Sequence, residues 1–107
     1  MINVSVHYPR SAGSHFDMDY YQQKHIPLVR QRYGAALAGL TILHAVRGGA
    51  DDEPAPHIAS AHFTFESVDI FTAAFTPHME EILEDIKKFT DIAPVLEVSE
   101  ILLRDGY

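Results

Sequence analysis

The feature of this sequence that most constrains its fold is the order in which two kinds of hydrophobic periodicity follow one another. Two longer segments, one after the first strand-like segment and one after the third, have the spacing of amphipathic helices. Four segments alternate with the two-residue period of strands: Ile2 to Tyr8, Leu40 to Arg47, His57 to Phe65 and Val95 to Leu103. The order β-α-β-β-α-β predicts a ferredoxin-like α+β sandwich, with the first and third strands central and both helices on one sheet face.

The first helical segment contains a proline that should interrupt it. Asp17 can accept hydrogen bonds from the free N–H groups of the first turn, and Gly34 can adopt the left-handed conformation that ends many helices. Pro27 lacks an N–H and crowds the carbonyl four residues before it, so we expect the helix to bend or restart near Ile26. His25 lies beside this bend, which can direct its imidazole toward a cavity.

The second helical segment is also interrupted by a proline. Ser67 is a good N-cap, Thr76-Pro77 should break the helix, and the apolar spacing of residues His78 to Phe89 predicts that it resumes. Residues 48–56 are acidic and rich in glycine and proline, which predicts a loop.

Composition excludes several classes of function. The chain has 107 residues, of which 47% are hydrophobic, and a formal net charge of −7. These values fit one folded domain spanning residues 1–107. The acidic balance disfavours nucleic acid and anionic membranes as partners, because both are bound through Lys and Arg. We therefore expect a small ligand that is neutral or apolar.

Other features limit the location of the protein and its cofactors. No apolar run could span a bilayer, and residues 1–9 lack the pattern of a secretory signal. The absence of cysteine fits a cytoplasmic location. The seven histidines do not have the spacing of a metal site, since His57 and His62 should point to opposite faces of one strand and no pair has helical i, i+4 spacing. We predict neither a metal nor a cofactor.

Polar residues lie on the predicted central strands. If this sheet face is covered, burying them costs free energy unless they form hydrogen bonds, so they are candidates for a functional role. His7 on the first strand and His62 on the third are flanked by Ser5, Ser60 and Thr64. If the two strands are neighbours, these residues form a polar strip along the middle of the sheet.

Residues of the helices could meet this strip in one cavity between the sheet and the helices. His25 would approach from the first helix, and His78 and Asp85, seven residues apart, share one flank of the last helix. A base, a second imidazole and a carboxylate in one cavity suit proton abstraction beside a carbonyl, with an imidazole or a Tyr hydroxyl polarising the oxygen. Histidine is the natural base because its reference pKa of about 6.5 is close to working pH.

Each of these side chains also has a structural interpretation. His25 could cap a helix or bind the backbone, His62 could lie in the interior or at a dimer interface, and His7 could be structural. Asp85 could be a surface charge near Lys88, and His78 could simply start a helix.

Several segments resemble a known family. The strings FDMDYYQQKHIPLV (16–29) and AHFTFESVDIFTAAFTPHMEEILEDIKKFTDIAPVLEVSE (61–100) are similar to EthD-type proteins of the dimeric α+β barrel superfamily. The motifs that carry the resemblance are Lys24-His25-Ile26-Pro27, Phe65-Glu66-Ser67, and Asp85 followed by Phe89-Thr90-Asp91.

The resemblance implies a ferredoxin-like barrel, a homodimer and kinship with cofactor-free enzymes that act on apolar rings, lactones and polyketides. It also implies a possible accessory role beside a cytochrome P450 system that degrades an ether. Some related proteins are named reductases, but this sequence has no nucleotide-binding glycine-rich loop.

Three hypotheses follow, and the sequence does not decide whether the protein is an enzyme. The first is a homodimer with its sheets face to face, acting on an apolar cyclic, lactone or polyketide-like compound as an isomerase, cyclase or lyase. The second is a carrier that holds an apolar metabolite for a degradative oxygenase. The third is a structural dimer whose cavity is filled by its own side chains. The predicted catalytic residues are His25, His62 and Asp85, and the predicted substrate-binding residues are His7, Tyr21, Phe65, His78 and Phe89.

Overall fold

A four-stranded antiparallel sheet forms one layer of the computed structural model, which describes residues 1–106. Its strands lie in the order β2-β3-β1-β4, so β1 and β3 are the central pair and the predicted α+β ferredoxin-like topology is confirmed. The strands are β1 (Ile2–Pro9), β2 (Gly39–His44), β3 (His57–Phe65) and β4 (Val95–Glu100).

Two strands end earlier than predicted. β2 stops at His44, which pairs with Ala59, rather than at Arg47. β4 stops at Glu100 rather than at Leu103, because its partner Ile2 is the first residue of β1. Past Glu100 the alternating pattern continues, but β1 does not. Past His44, β3 continues for two residues, and the N–H of Ala45 still donates to the carbonyl of Ile58 before the pairing ends.

The first helical unit has three parts: α1 (Met18–Tyr20), a π-helical turn (Tyr21–His25) and α2 (Ile26–Tyr33). The restart predicted near Ile26 is confirmed. A π turn is wider than an α turn, and the N–H of Ile26 bonds the carbonyl of Tyr21 five residues back. This width accommodates Pro27, which has no N–H to donate.

Both predicted ends of this unit are confirmed. The Asp17 side chain accepts a hydrogen bond from the N–H of Tyr20 at 3.1 Å, and Gly34 has a φ of 57°. That φ lies in the left-handed region, where a Cβ would be strained.

The second helical unit follows the prediction until its end. Ser67 accepts a hydrogen bond from the N–H of Ile70 and caps α3 (Val68–Phe75). A 3₁₀ turn (Thr76–His78) holds the predicted interruption, and α4 covers Met79–Ile86. α4 therefore ends three residues before Phe89, because the N–H groups of residues 87–89 bond carbonyls three residues back and tighten the chain.

The core lies between the helices and one sheet face. Burial of each large apolar side chain contributes about 1.5–3 kcal/mol to folding. The largest fully buried side chains are Val4, Tyr8, Tyr21, Phe65 and Phe89.

Among residues 1–106, no helix combines the length and apolar content that crossing a membrane requires.

The opposite side of the sheet, called here the uncovered face, is polar along its two central strands. It carries Asn3, Ser5, Ser60, His62 and Thr64, as the strand register and the contact between Asn3 and His62 require. Apolar residues on this face are fewer, and Leu43 and Val95 are half exposed. Part of the chain after β4 borders the same face, where Ile101 and Leu103 help to line a shallow cavity with Asn3 and His62.

Candidate active site

A buried imidazole–carboxylate pair joins the two helical units. The Nδ1 atom of His25 lies 2.9 Å from Oδ2 of Asp85, and the two residues are 3% and 7% exposed. An ionised carboxylate can only accept a hydrogen bond, so Nδ1 carries the proton and donates it. The other nitrogen, Nε2, is then the basic atom of the ring.

The second carboxylate oxygen of Asp85 also has partners. The Tyr20 hydroxyl donates to Oδ1 at 2.9 Å, and Nζ of Lys88 lies 3.6 Å from the same oxygen. Burial alone would raise the pKa of Asp85, but the hydrogen bonds from His25 and Tyr20, with the positive charge of Lys88, lower it below the ordinary value. Asp85 is therefore ionised at neutral pH.

His25 is held neutral by its surroundings. Burial lowers its pKa, and this effect outweighs the hydrogen bond and the charge of Asp85, which both raise it. A neutral imidazole with a protonated Nδ1 is the form that can act as a general base through Nε2.

The position of the pair depends on contacts between the start of the first helical unit and the end of the second. Phe16 and Thr90 form a β-bridge, and the N–H of Asp17 donates to the carbonyl of Phe89 at 2.7 Å. The Thr90 hydroxyl donates to the carbonyl of His15 at 2.6 Å, and the N–H of His15 donates to Asp91. The Phe89-Thr90-Asp91 motif thus fixes the two units together.

An apolar cavity of about 30 Å³ adjoins His25, between the sheet and the helices. Side chains from β1, β3, β4 and both helical units line it, and most are aliphatic or aromatic. Leu83 and Leu96 are 40% and 44% exposed, so the cavity reaches the surface between α4 and β4. Its present volume has room for about two water molecules. A larger ligand therefore requires these half-exposed leucines to move.

Tyr21, which the sequence analysis names as a candidate substrate-binding residue, also lines this cavity. Its ring stacks on that of His25, with centroids 6.1 Å apart and an interplanar angle of 17°. Both residues belong to the π turn, a feature that is frequent at functional sites.

His62 and His7 do not share the cavity with His25, and the expectation of one common cavity is corrected. Both lie on the uncovered face, with the sheet between them and the helices. The Nδ1 atom of His62 is 3.4 Å from Asn3, its Nε2 atom is 3.1 Å from the Ser60 hydroxyl, and its ring lies 5.8 Å from that of His7. Burial and the charge of His7 lower the pKa of His62.

The other predicted substrate-binding residues lie around the cavity rather than in its lining. Phe65 is buried in the core against Tyr33 and Phe71. Phe89 is buried behind His25, with the ring centroids 4.7 Å apart, so it supports the imidazole. His78 is partly exposed in the 3₁₀ turn before α4, outside the residues that line the cavity.

The sequence did not indicate Tyr20 as a residue of this site. Its partner Asp85 is 65 positions away, and a tyrosine at a helix start has no local signal for such a contact.

Within residues 1–106, no three histidine, cysteine or acidic side chains converge on a point that could hold a metal ion.

The fold and this site place the chain among the ferredoxin-like α+β proteins. More narrowly, the chain belongs to the EthD domain family, whose model matches residues 14–93 and so includes both His25 and Asp85. A comparison with curated proteins finds no match.

Three solved structures illustrate the likeness. An EthD-like protein from Ralstonia eutropha is 41% identical, with a TM-score of 0.91 and coverage of 97% of this chain and 95% of that one. An ethyl tert-butyl ether D (EthD) family protein from Bacillus halodurans is 17% identical, with a TM-score of 0.73 and coverage of 95% and 99%. SnoaB from Streptomyces nogalater, a cofactor-independent oxygenase, is 8% identical, with a TM-score of 0.65 and coverage of 99% and 96%. The last two likenesses concern the fold alone.

Proposed function

We propose that the protein is a single-domain, homodimeric enzyme that moves a proton on an apolar small molecule without a cofactor. The observation that carries this proposal is the buried pair in which Asp85 holds the Nδ1 proton of His25 beside an apolar cavity. The substrate class is an apolar cyclic, lactone or polyketide-like compound, and the reaction is an isomerisation, cyclisation or elimination.

In this mechanism His25 is the general base and Asp85 is its positioning residue. Nε2 takes a proton from the substrate, and the imidazolium that forms is stabilised by the Asp85 carboxylate, which Tyr20 and Lys88 keep ionised. His25 then returns the proton to another atom of the substrate. The apolar walls limit water near the reacting atoms, which strengthens the electrostatic interactions there.

The family and fold agree with this chemistry. SnoaB, which has this fold, is a cofactor-independent oxygenase. The cysteine-free sequence and its net charge of −7 agree with a cytoplasmic enzyme that binds neither nucleic acid nor membranes.

The proposed dimer would bring two uncovered sheet faces together. Leu43 and Val95 on this face are half exposed, and Leu102 and Leu103 in the following segment are mostly exposed. A two-fold dimer would bury these side chains against the same surface of a second copy.

The proposal is tested by following hydrogen–deuterium exchange beside the carbonyl of small ketones and lactones in D₂O by NMR. The enzyme should accelerate exchange, and His25→Gln should remove the acceleration. His44→Gln is the matched control, because His44 is exposed at the end of β2. Exchange that is equally fast in His25→Gln would contradict the role of His25.

A second candidate function is a carrier that holds an apolar metabolite for a degradative oxygenase such as a cytochrome P450. The apolar lining of the cavity favours it, as does the name of the Bacillus halodurans relative, an ethyl tert-butyl ether D family protein. A carrier should lose affinity for its ligand in Leu83→Ser and keep it in His25→Gln. Native mass spectrometry of freshly purified protein would report the subunit number and any retained compound together.

A further inference from the structure

The hydroxyl of Tyr21 is a buried polar group that the proton transfer by His25 leaves unused. The side chain is fully buried, and within residues 1–106 its oxygen has no hydrogen-bond partner. Buried tyrosine hydroxyls usually find a partner. An unpartnered one beside a cavity points to a group that arrives with a ligand.

The Tyr21 side chain lies beside the cavity that a ligand of His25 would enter. Tyr21 and His25 are the first and last residues of the π turn, their rings stack, and both line the apolar cavity. Tyr20, the adjacent phenol, cannot take this role because its hydroxyl is already committed to Asp85.

The polarity of the cavity indicates which ligand fits. Of the side chains lining it in the described part of the chain, His25 is the one that could carry a positive charge, and the structure keeps it neutral. Burial also raises the pKa of Tyr21, so its phenol stays protonated and can donate. Neutral phenols and one neutral base in apolar walls suit an uncharged molecule with an oxygen acceptor, rather than a carboxylate or a phosphate.

We propose that Tyr21 donates a hydrogen bond to the carbonyl oxygen of an uncharged ketone or lactone that has a C–H bond beside the carbonyl. This inference rests on the proposed function. His25 Nε2 removes the proton from that carbon, the C–H bond breaks, and its electron pair forms an enolate whose oxygen stays bonded to Tyr21. Return of the proton from His25 to the same or a conjugated carbon completes the reaction, and no oxidant or reductant is needed.

The probe for this proposal is cyclohexanone labelled with ¹³C at the carbonyl, and methylenecyclohexane is its counterpart without the oxygen. Tyr21→Phe keeps the ring and removes the hydroxyl. Tyr33→Phe tests the rival donor, because Tyr33 is another buried tyrosine that lines the cavity. Stability in urea should be unchanged or higher in Tyr21→Phe, since the lost hydroxyl has no partner.

In the wild-type protein the carbonyl ¹³C signal should move downfield on binding, and Tyr21→Phe should abolish this shift. Affinity for cyclohexanone should fall by about threefold to tenfold in Tyr21→Phe, as for one lost hydrogen bond, while that for methylenecyclohexane stays the same. The exchange rate beside the carbonyl should fall about a hundredfold, as for a lost oxyanion donor. Tyr33→Phe should leave the carbonyl signal unchanged.

The outcomes separate this inference from the proposed function. A bound carbonyl signal that is the same in wild-type protein and Tyr21→Phe, or that changes in Tyr33→Phe instead, overturns the role of Tyr21 while leaving exchange by His25 intact. The carbonyl ¹³C shift could depend on Tyr21 while the protein does not accelerate hydrogen–deuterium exchange beside the carbonyl. That result would support the role of Tyr21 in binding and contradict the catalytic proposal. Failure of cyclohexanone to bind overturns the inferred substrate class.

Discussion

His25 and Asp85 are 60 positions apart in the sequence, and their side chains meet at 2.9 Å in the interior of the protein. The carboxylate fixes which ring nitrogen carries the proton. Asp85→Asn should therefore lower the exchange rate about a hundredfold or more, because an amide can donate to Nδ1 and move the ring proton to Nε2. The rate of ketone exchange measures this effect. An unchanged rate in a folded Asp85→Asn protein would show that the carboxylate does not orient the base.

A second prediction concerns the pH dependence of His25. Burial lowers its pKa below the ordinary value of 6.5 although Asp85 opposes this shift. The neutral ring is the base, so kcat/KM should fall as pH decreases through a value below 6.5. An NMR titration of the ring protons should give the same midpoint. In Asp85→Asn the pKa of His25 should be lower still, because the raising effect of the carboxylate is removed. A higher pKa in the variant would contradict this assignment.

A third prediction tests the contacts that hold the two helical units together. Thr90 is buried, donates to the carbonyl of His15 and accepts from the N–H of Ile92 at 3.1 Å. Thr90→Ala should lower the free energy of unfolding by about 1–3 kcal/mol, since it leaves buried backbone groups unpaired. Urea denaturation measures the loss. The control Thr72→Ala, on the exposed side of α3, should change stability by less than about 0.5 kcal/mol.

A fourth prediction concerns the dimer. Leu43 and Val68 are both about half exposed, but Leu43 lies on the uncovered face and Val68 lies on the helical layer. In sedimentation experiments at micromolar concentration, the wild-type protein and Val68→Asp should both be dimers, and Leu43→Asp should dissociate into monomers. A monomeric wild-type protein would contradict the proposed dimer. A fully dimeric Leu43→Asp would instead place the interface on another surface.

Much of the fold could be predicted because its signals are local. The caps at Asp17 and Ser67 and the interruption caused by Pro27 each depend on a few neighbouring residues, and all three are present in the structure. The strand end at Glu100 was not predictable, because it depends on where β1 begins. The end of β2 at His44 depends on where its pairing with β3 stops, which no local signal indicates.

The site was only partly predictable for a related reason. Alternation separates the residues of a strand into two faces but does not say which one the helices cover. The large aromatic residues Tyr8, Phe63 and Phe65 all lie on the covered face, and this was the available signal that His62 lies on the other. The contact between Tyr20 and Asp85 depends on the packed structure and has no counterpart in the local sequence.

The π turn at Tyr21–His25 limits how this chain can change in length during evolution. A π turn contains one residue more than an α turn can hold, and one residue rotates a regular helix by about 100°. Deletion of any one of residues 22–24 would therefore swing the phenol of Tyr21 and the imidazole of His25 out of alignment. Homologues should vary in length between residues 45 and 56, where no strand or helix constrains the chain. The spacing between Tyr21 and His25 should be invariant among them.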